Sequence, residues 1–217
     1  GLADTARELG KWISVDTRNM ATMRAAIKAG ANFINDVSAL SADPEAIDFV
    51  QECDVPVCLM HMAGTPQNMQ DNPHYADPVG EIYDYLARRI EACIEAGIRR
   101  DRLIIDPGIG FGKTLDHNLS LLSRIEEFHD LKCPVLIGAS RKSFIAKIDH
   151  RAANAQDRLP GSLSAAITAY KAGAQIIRAH DVWQTRQALA VTHAIDSHRQ
   201  ESRGLTPALL SETEAAG

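Results

Sequence analysis

Six short apolar runs each close on polar residues suited to chemistry: ISVD (13–16), FIN (33–35), LMH (59–61), LIID (103–106), LIGAS (136–140) and IIR (176–178), with His180 just beyond. Runs of this kind, separated by helical patterns, build a parallel sheet that is buried on both faces and crossed over by helices. When such a sheet curls into a barrel, the reaction site collects at the carboxyl ends of the strands. A polar residue recurring at that one place therefore reads as an active-site rim. The fold class expected is α/β, a TIM (β/α)8-type barrel.

Strands are predicted at 13–17, 33–37, 56–61, 103–106, 134–139 and 175–179. Helices are predicted at 19–29, from the N-cap Asp43 to 52, at 78–96, at 117–129, from near Lys142, at 162–172 and at 182–197. KAGANFI (28–34) and KAGAQII (171–177) repeat a helix end, a turn glycine and the first residues of a strand, as stacked βα units should. A complete barrel has eight such units, and six parallel strands are legible. The opening GLADTARELGKW reads as a helix end running into a strand, so the first two units are expected upstream of Gly1. The barrel should then be open, with strands 13–17 and 176–180 as its edges. Residues 1–197 are read as one partial barrel and the polar, aperiodic 198–217 as a loose tail.

Composition narrows the function classes. A chain of 217 residues, 45% hydrophobic, suits one globular domain, and a net charge of -5 without a Lys/Arg block argues against nucleic acid or a membrane surface as partner. Cys53, Cys58, Cys93 and Cys133 lack C-x-x-C spacing and read as free thiols of a reducing cytoplasm. DPGIGFGKT (106–114) is not a phosphate loop, because Pro107 stands where the first glycine is needed. GASRK (138–142) lacks the last glycine of a nucleophile elbow, and the histidines have no zinc spacing, so no metal ligand is assigned. His61, between two methionines, reads as a structural hydrogen-bonding residue.

What remains is a set of strand-end groups: the carboxylates Asp16 and Asp106, the amide Asn35, the ammonium of Lys142, and the pair Arg178 and His180. Asp106 alone could cap a helix, but Gly108, Gly110 and Gly112 after it give the loop a freedom that a cap does not need. Arg141 and Lys142 are adjacent cations and would repel unless an anion or an electron-rich ring lies nearby. Arg178 and His180, two apart on one strand, suit a phosphate better than a core.

ISVDT (13–17), IND (34–36), CLMHMAGTPQNMQ (58–70), DPGIGFGK (106–113), SRKS (140–143), GSL (161–163) and IIRAHDV (176–182) together resemble the dihydropteroate synthase family of the bacterial folate pathway. The resemblance implies condensation of 7,8-dihydropterin-6-ylmethyl diphosphate with p-aminobenzoate, releasing pyrophosphate, in a cytoplasmic homodimer that is a target of sulfonamides. It implies that Asp16, Asn35, Met60, Asp106 and Lys142 hold the pterin, and that Arg178 and His180 hold the diphosphate. Phe111, Arg141, Lys142 and Ser143 would line the p-aminobenzoate side, and Asp16, Lys142, Arg178 and His180 would act in the reaction. The resemblance also implies Mg²⁺. The family's metal-binding asparagine, and the first two loops that close over the site, have no counterpart in these residues, so turnover by this chain alone is expected to be poor. Three alternatives stay open: a noncatalytic pterin-binding module, a pterin-dependent corrinoid methyltransferase, and a barrel scaffold whose strand-end groups are merely solvated.

Overall fold

The computed structural model describes residues 2–64, 69 and 73–202. Thr65–Asn68 and Gln70 of the 58–70 stretch, and residues 203–217 of the expected tail, lie outside the described residues.

Alternation of strand and helix runs through the described chain as α1 (Leu2–Glu8), β1 (Ser14–Asp16), α2 (Met20–Lys28), β2 (Phe33–Asp36), α3 (Ala46–Glu52), β3 (Val57–Met60) and α4 (Pro78–Glu95). It continues as β4 (Leu103–Asp106), α5 (Leu115–Ser123), β5 (Leu136–Ile137), α6 (Ser143–Ile148), α7 (Leu159–Lys171), β6 (Ile176–Ile177) and α8 (Val182–Ser202). β1 to β4 form a parallel sheet in chain order, β5 pairs parallel with β6, and a bridge from Ile105 to Val135 joins the two sets. Among the described residues β1 and β6 each have one strand neighbour, so the sheet is open between them.

The period-two alternation of the strands separates two layers. Ile34, Val57, Leu59, Leu103, Ile105 and Ile137 face outward into the main core, where they meet Ile82, Leu86 and Ile90 of α4. Phe33, Cys58, Ile104 and Leu136 form a second buried cluster with Ile176 against it, one residue from each of five strands. This inner cluster plugs the barrel below its carboxyl end. Two residues further along each strand stand Asn35, Met60, Asp106, Gly138 and Arg178, and β1 adds Asp16 in register with Asn35.

Several expected boundaries shift for local reasons. Asp43 does not cap α3. One carboxylate oxygen accepts from Glu45 N in a tight turn, and the other accepts at 2.8 Å from Met20 N, the first amide of the neighbouring α2, whose own N-cap is Asn19. The helix expected at 117–129 begins at Leu115 on a Thr114 capping box and stops at Ser123, where the Ser123 hydroxyl donates back to the Ser120 carbonyl; Ile125–Leu131 then winds into a 3₁₀ helix. α7 begins three residues early, because Pro160 sits in its first turn with φ preset for a helix. At the other end α8 runs through residues 198–202, read above as loose tail; Arg199 pairs there with Asp196 one turn back, at 3.6 Å.

Candidate active site at the carboxyl ends of the strands

Asp106 ends β4 with no exposed surface. Its Oδ1 accepts from the Gly108 amide at 2.8 Å, which pins the start of the glycine loop, and its Oδ2 accepts from Arg178 Nη2 at 2.8 Å. The other arm of the same guanidinium donates to Asn35 Oδ1 at 3.0 Å. Arg178 thus reaches from the end of β6 to the ends of β2 and β4 and closes the mouth of the barrel with one planar fork. Gly138, after β5, makes room for it: a Cβ there would lie 2.6 Å from Arg178 Nη2. Met60 is buried beside Asp106 in the β3–β4 register, and Asp16 stands exposed at the end of β1.

The two adjacent cations find both of the partners that electrostatics demands. Arg141 takes the carboxylate of Asp181 through Nε at 3.0 Å and Nη2 at 2.5 Å. Lys142 lays its ammonium 3.8 Å from the centroid of the Phe111 ring. Burial lowers the Lys142 pKa to about 8; Asp106 opposes the change and Arg178 adds to it. Arg141 is therefore committed to Asp181, which was not foreseen, while Ser143 opens α6 with an exposed side chain. His180 is exposed at the end of the β6 segment and its Nδ1 lies 3.0 Å from Ser140 Oγ. It shares no described partner with Arg178, because the strand has ended at Ile177 and regular alternation no longer governs both.

Other supports escaped sequence reasoning. Asn118, on the buried face of α5, accepts from Gly110 N at 2.7 Å and donates to Thr114 O at 2.6 Å, holding the glycine loop. A polar residue between Leu115 and Leu121 on the apolar stripe was the available signal. Lys113 is only 3% exposed and its Nζ lies 3.0 Å from His61 Nδ1. Burial lowers the Lys113 pKa to about 7; it also lowers that of His61 to about 3, with the Lys113 charge contributing.

These depressed bases make stability pH-dependent in a definite direction. Between about pH 7 and the ordinary lysine range near 10.4, the unfolded chain binds the Lys113 proton and the folded chain does not, so folding should strengthen as pH rises. Lys142 adds to the same slope above about pH 8, and His61 extends it downward from near 6.5 toward 3. Thermal unfolding across pH 6–10 should therefore give a rising midpoint for the wild type and a flatter one for Lys113→Met. A parallel profile for the two would mean that Lys113 stays protonated in the fold.

A family model described as pterin binding enzyme matches residues 2–180. The dihydropteroate synthase of Escherichia coli K12 is 44% identical over 198 residues, which span 91% of this chain and 69% of that protein. The Stenotrophomonas maltophilia dihydropteroate synthase, solved with imidazole in its active site, superposes with a TM-score of 0.86 at 40% identity, covering 90% of this chain and 73% of that one. A Xanthomonas albilineans dihydropteroate synthase in complex with 7,8-dihydropteroate superposes with a TM-score of 0.82 at 40% identity, over 90% and 73% of the two chains. The chain belongs to the pterin-binding enzymes, and within them to the dihydropteroate synthases. Its fold is accordingly the parallel α/β barrel of that family, here with six strands and open between β1 and β6 among the described residues. All of these relatives are synthases, which sets aside the corrinoid-linked methyltransferase reading.

Proposed function

We propose that the strand-end site binds a dihydropterin diphosphate and joins its exocyclic methylene to the amine of p-aminobenzoate, with release of pyrophosphate. The observation that carries this reading is the Arg178 fork, whose N–H groups are satisfied together by Asp106 Oδ2 and Asn35 Oδ1. The amino-pyrimidinone edge of a pterin is also a planar array of N–H donors, so it competes for the same two acceptors. Pterin binding would displace the guanidinium, which is then free to take the leaving diphosphate near His180. Lys142 would donate to the pterin carbonyl side, and Met60 would pack on the ring. Asp16 would stabilise the cation that develops on the methylene as the C–O bond to diphosphate breaks. No protein nucleophile is required: the arylamine supplies the electron pair, and its proton leaves to solvent.

The p-aminobenzoate would lie along Phe111 and Lys142, with Ser143 beyond; Arg141 would support that wall through Asp181 rather than through a free guanidinium. The Mg²⁺ implied by the family does not fit a protein cage here, since no group of three or more His, Cys, Asp or Glu converges among the described residues. No helix among the described residues is long and apolar enough to cross a membrane. A cytoplasmic homodimer built on helices late in the chain completes the reading, and sedimentation tests the dimer.

The experiment is Arg178→Lys. Lysine keeps the charge but loses the fork. Calorimetry should find the diphosphate substrate bound roughly tenfold more weakly, about 1.4 kcal/mol, while a phosphate-free pterin binds as tightly as before or tighter, its internal competitor having gone. Equal losses for both ligands would make Arg178 a structural residue. Failure of the wild type to bind the pterin diphosphate in the same titration would overturn the synthase reading itself.

A further inference from the structure

Lys113 is the most costly side chain near the site that the reaction above does not use. An amine with 3% exposure loses nearly all of its hydration, and a methionine would fill the same space without that cost. What the lysine adds is a link. Its Nζ lies 3.0 Å from His61 Nδ1, just past the end of β3, and donates to the Phe111 carbonyl at 2.9 Å in the loop after β4. His61 is held in turn by the Tyr85 ring, edge-on at 4.9 Å.

Phe111 needs such a link. It sits between Gly110 (φ 83) and Gly112 (φ 64), two glycines in the left-handed region, so the direction of its ring depends on how the loop backbone on either side is held. Around it, Phe111 N donates to Gly108 O at 3.1 Å and the Tyr75 hydroxyl donates to Gly112 O at 3.2 Å. Lys113 fixes the carbonyl of Phe111 itself, and the ring that this backbone carries is the one on which the Lys142 ammonium rests at 3.8 Å. Gly110 keeps the space open, since a Cβ there would lie 2.9 Å from Lys142 Cδ.

We propose that Lys113 is a positioning residue for the arylamine side of the site: by clamping His61 to the Phe111 carbonyl, it aims the Phe111 ring and, through it, Lys142. The assignment of that side to p-aminobenzoate rests on the synthase reading; the clamp itself does not. A merely structural lysine would affect both substrates alike when removed, whereas a clamp on this wall affects one.

The test is Lys113→Met, with Lys113→Gln as a second uncharged variant read the same way should the first not fold. Steady-state pyrophosphate release should give a KM for p-aminobenzoate raised about tenfold or more, with the KM for the pterin diphosphate changed less than twofold. In a Phe111→Ala background the same substitution should add less than twofold, because the ring it aims is gone. Independently of activity, protein carrying ¹³C-lysine should lose the upfield ring shift of the Lys142 ε-methylene when Lys113 is replaced. An unchanged Lys142 signal, or equal increases in both KM values, would overturn the proposal. A wild type that shows the shifted Lys142 signal but binds neither substrate would overturn the synthase reading while the clamp stands.

Discussion

Asp106→Asn will weaken pterin binding by roughly 5- to 150-fold, about 1–3 kcal/mol, and will cost the fold far less. The carboxylate is an acceptor only; the amide brings two donors to face the N–H edge of the ligand, so one pterin donor loses its partner and meets another donor. The remaining amide oxygen can still accept from Gly108 N, the 2.8 Å bond that holds the loop. Arg178, with its side chain 37% exposed, can hydrate the arm that it loses. Calorimetry with a phosphate-free pterin, run beside thermal unfolding, separates the two effects. Unchanged affinity would sink the role given to Asp106, and a collapse in stability matching the affinity loss would make it structural.

Gly108→Ala should be the most damaging single substitution in the glycine loop. Gly108 has φ +73, and a Cβ built on it would lie 1.9 Å from the backbone oxygen of His61, a distance that only displacement of β3's end or of the loop can relieve. The left-handed conformation adds about 1–2 kcal/mol for an L-residue, and the clash brings the total to the order of 3–5 kcal/mol. For a domain of this size that lowers the unfolding midpoint by on the order of 10 °C. A midpoint within about 2 °C of the wild type would mean that the loop moves freely. Gly138→Ala differs in kind: its Cβ meets the movable Arg178 guanidinium, so it should disturb binding more than folding.

The strand ends were legible for a simple reason. An apolar run that stops on Asp, Asn or Arg reports burial and its limit in one stretch of sequence, so β1 to β6 and the residues on their rim could be located without any tertiary information. The helices were read almost as well, since their apolar faces repeat locally. Asp43 marks where that reading fails: a carboxylate suited to a helix start was clear, but the helix amide it takes belongs to α2 lying beside it, 23 residues earlier in the chain.

Adjacent charges on Arg141 and Lys142 required compensation by Coulomb's law alone, so the sequence by itself determined that an anion or a ring must lie nearby. Only the tertiary structure could choose Asp181 for one and Phe111 for the other, residues 40 and 31 positions away that the barrel brings within contact. The same holds for Arg178, whose span to Asn35 crosses 143 residues of chain, and for Lys113 with His61 across 52. Hydrophobic periodicity is a property of neighbours along the chain and predicts which residues reach the rim. Pairing across the rim is decided by the curl of the sheet, which sets distances between strand ends that no local pattern encodes.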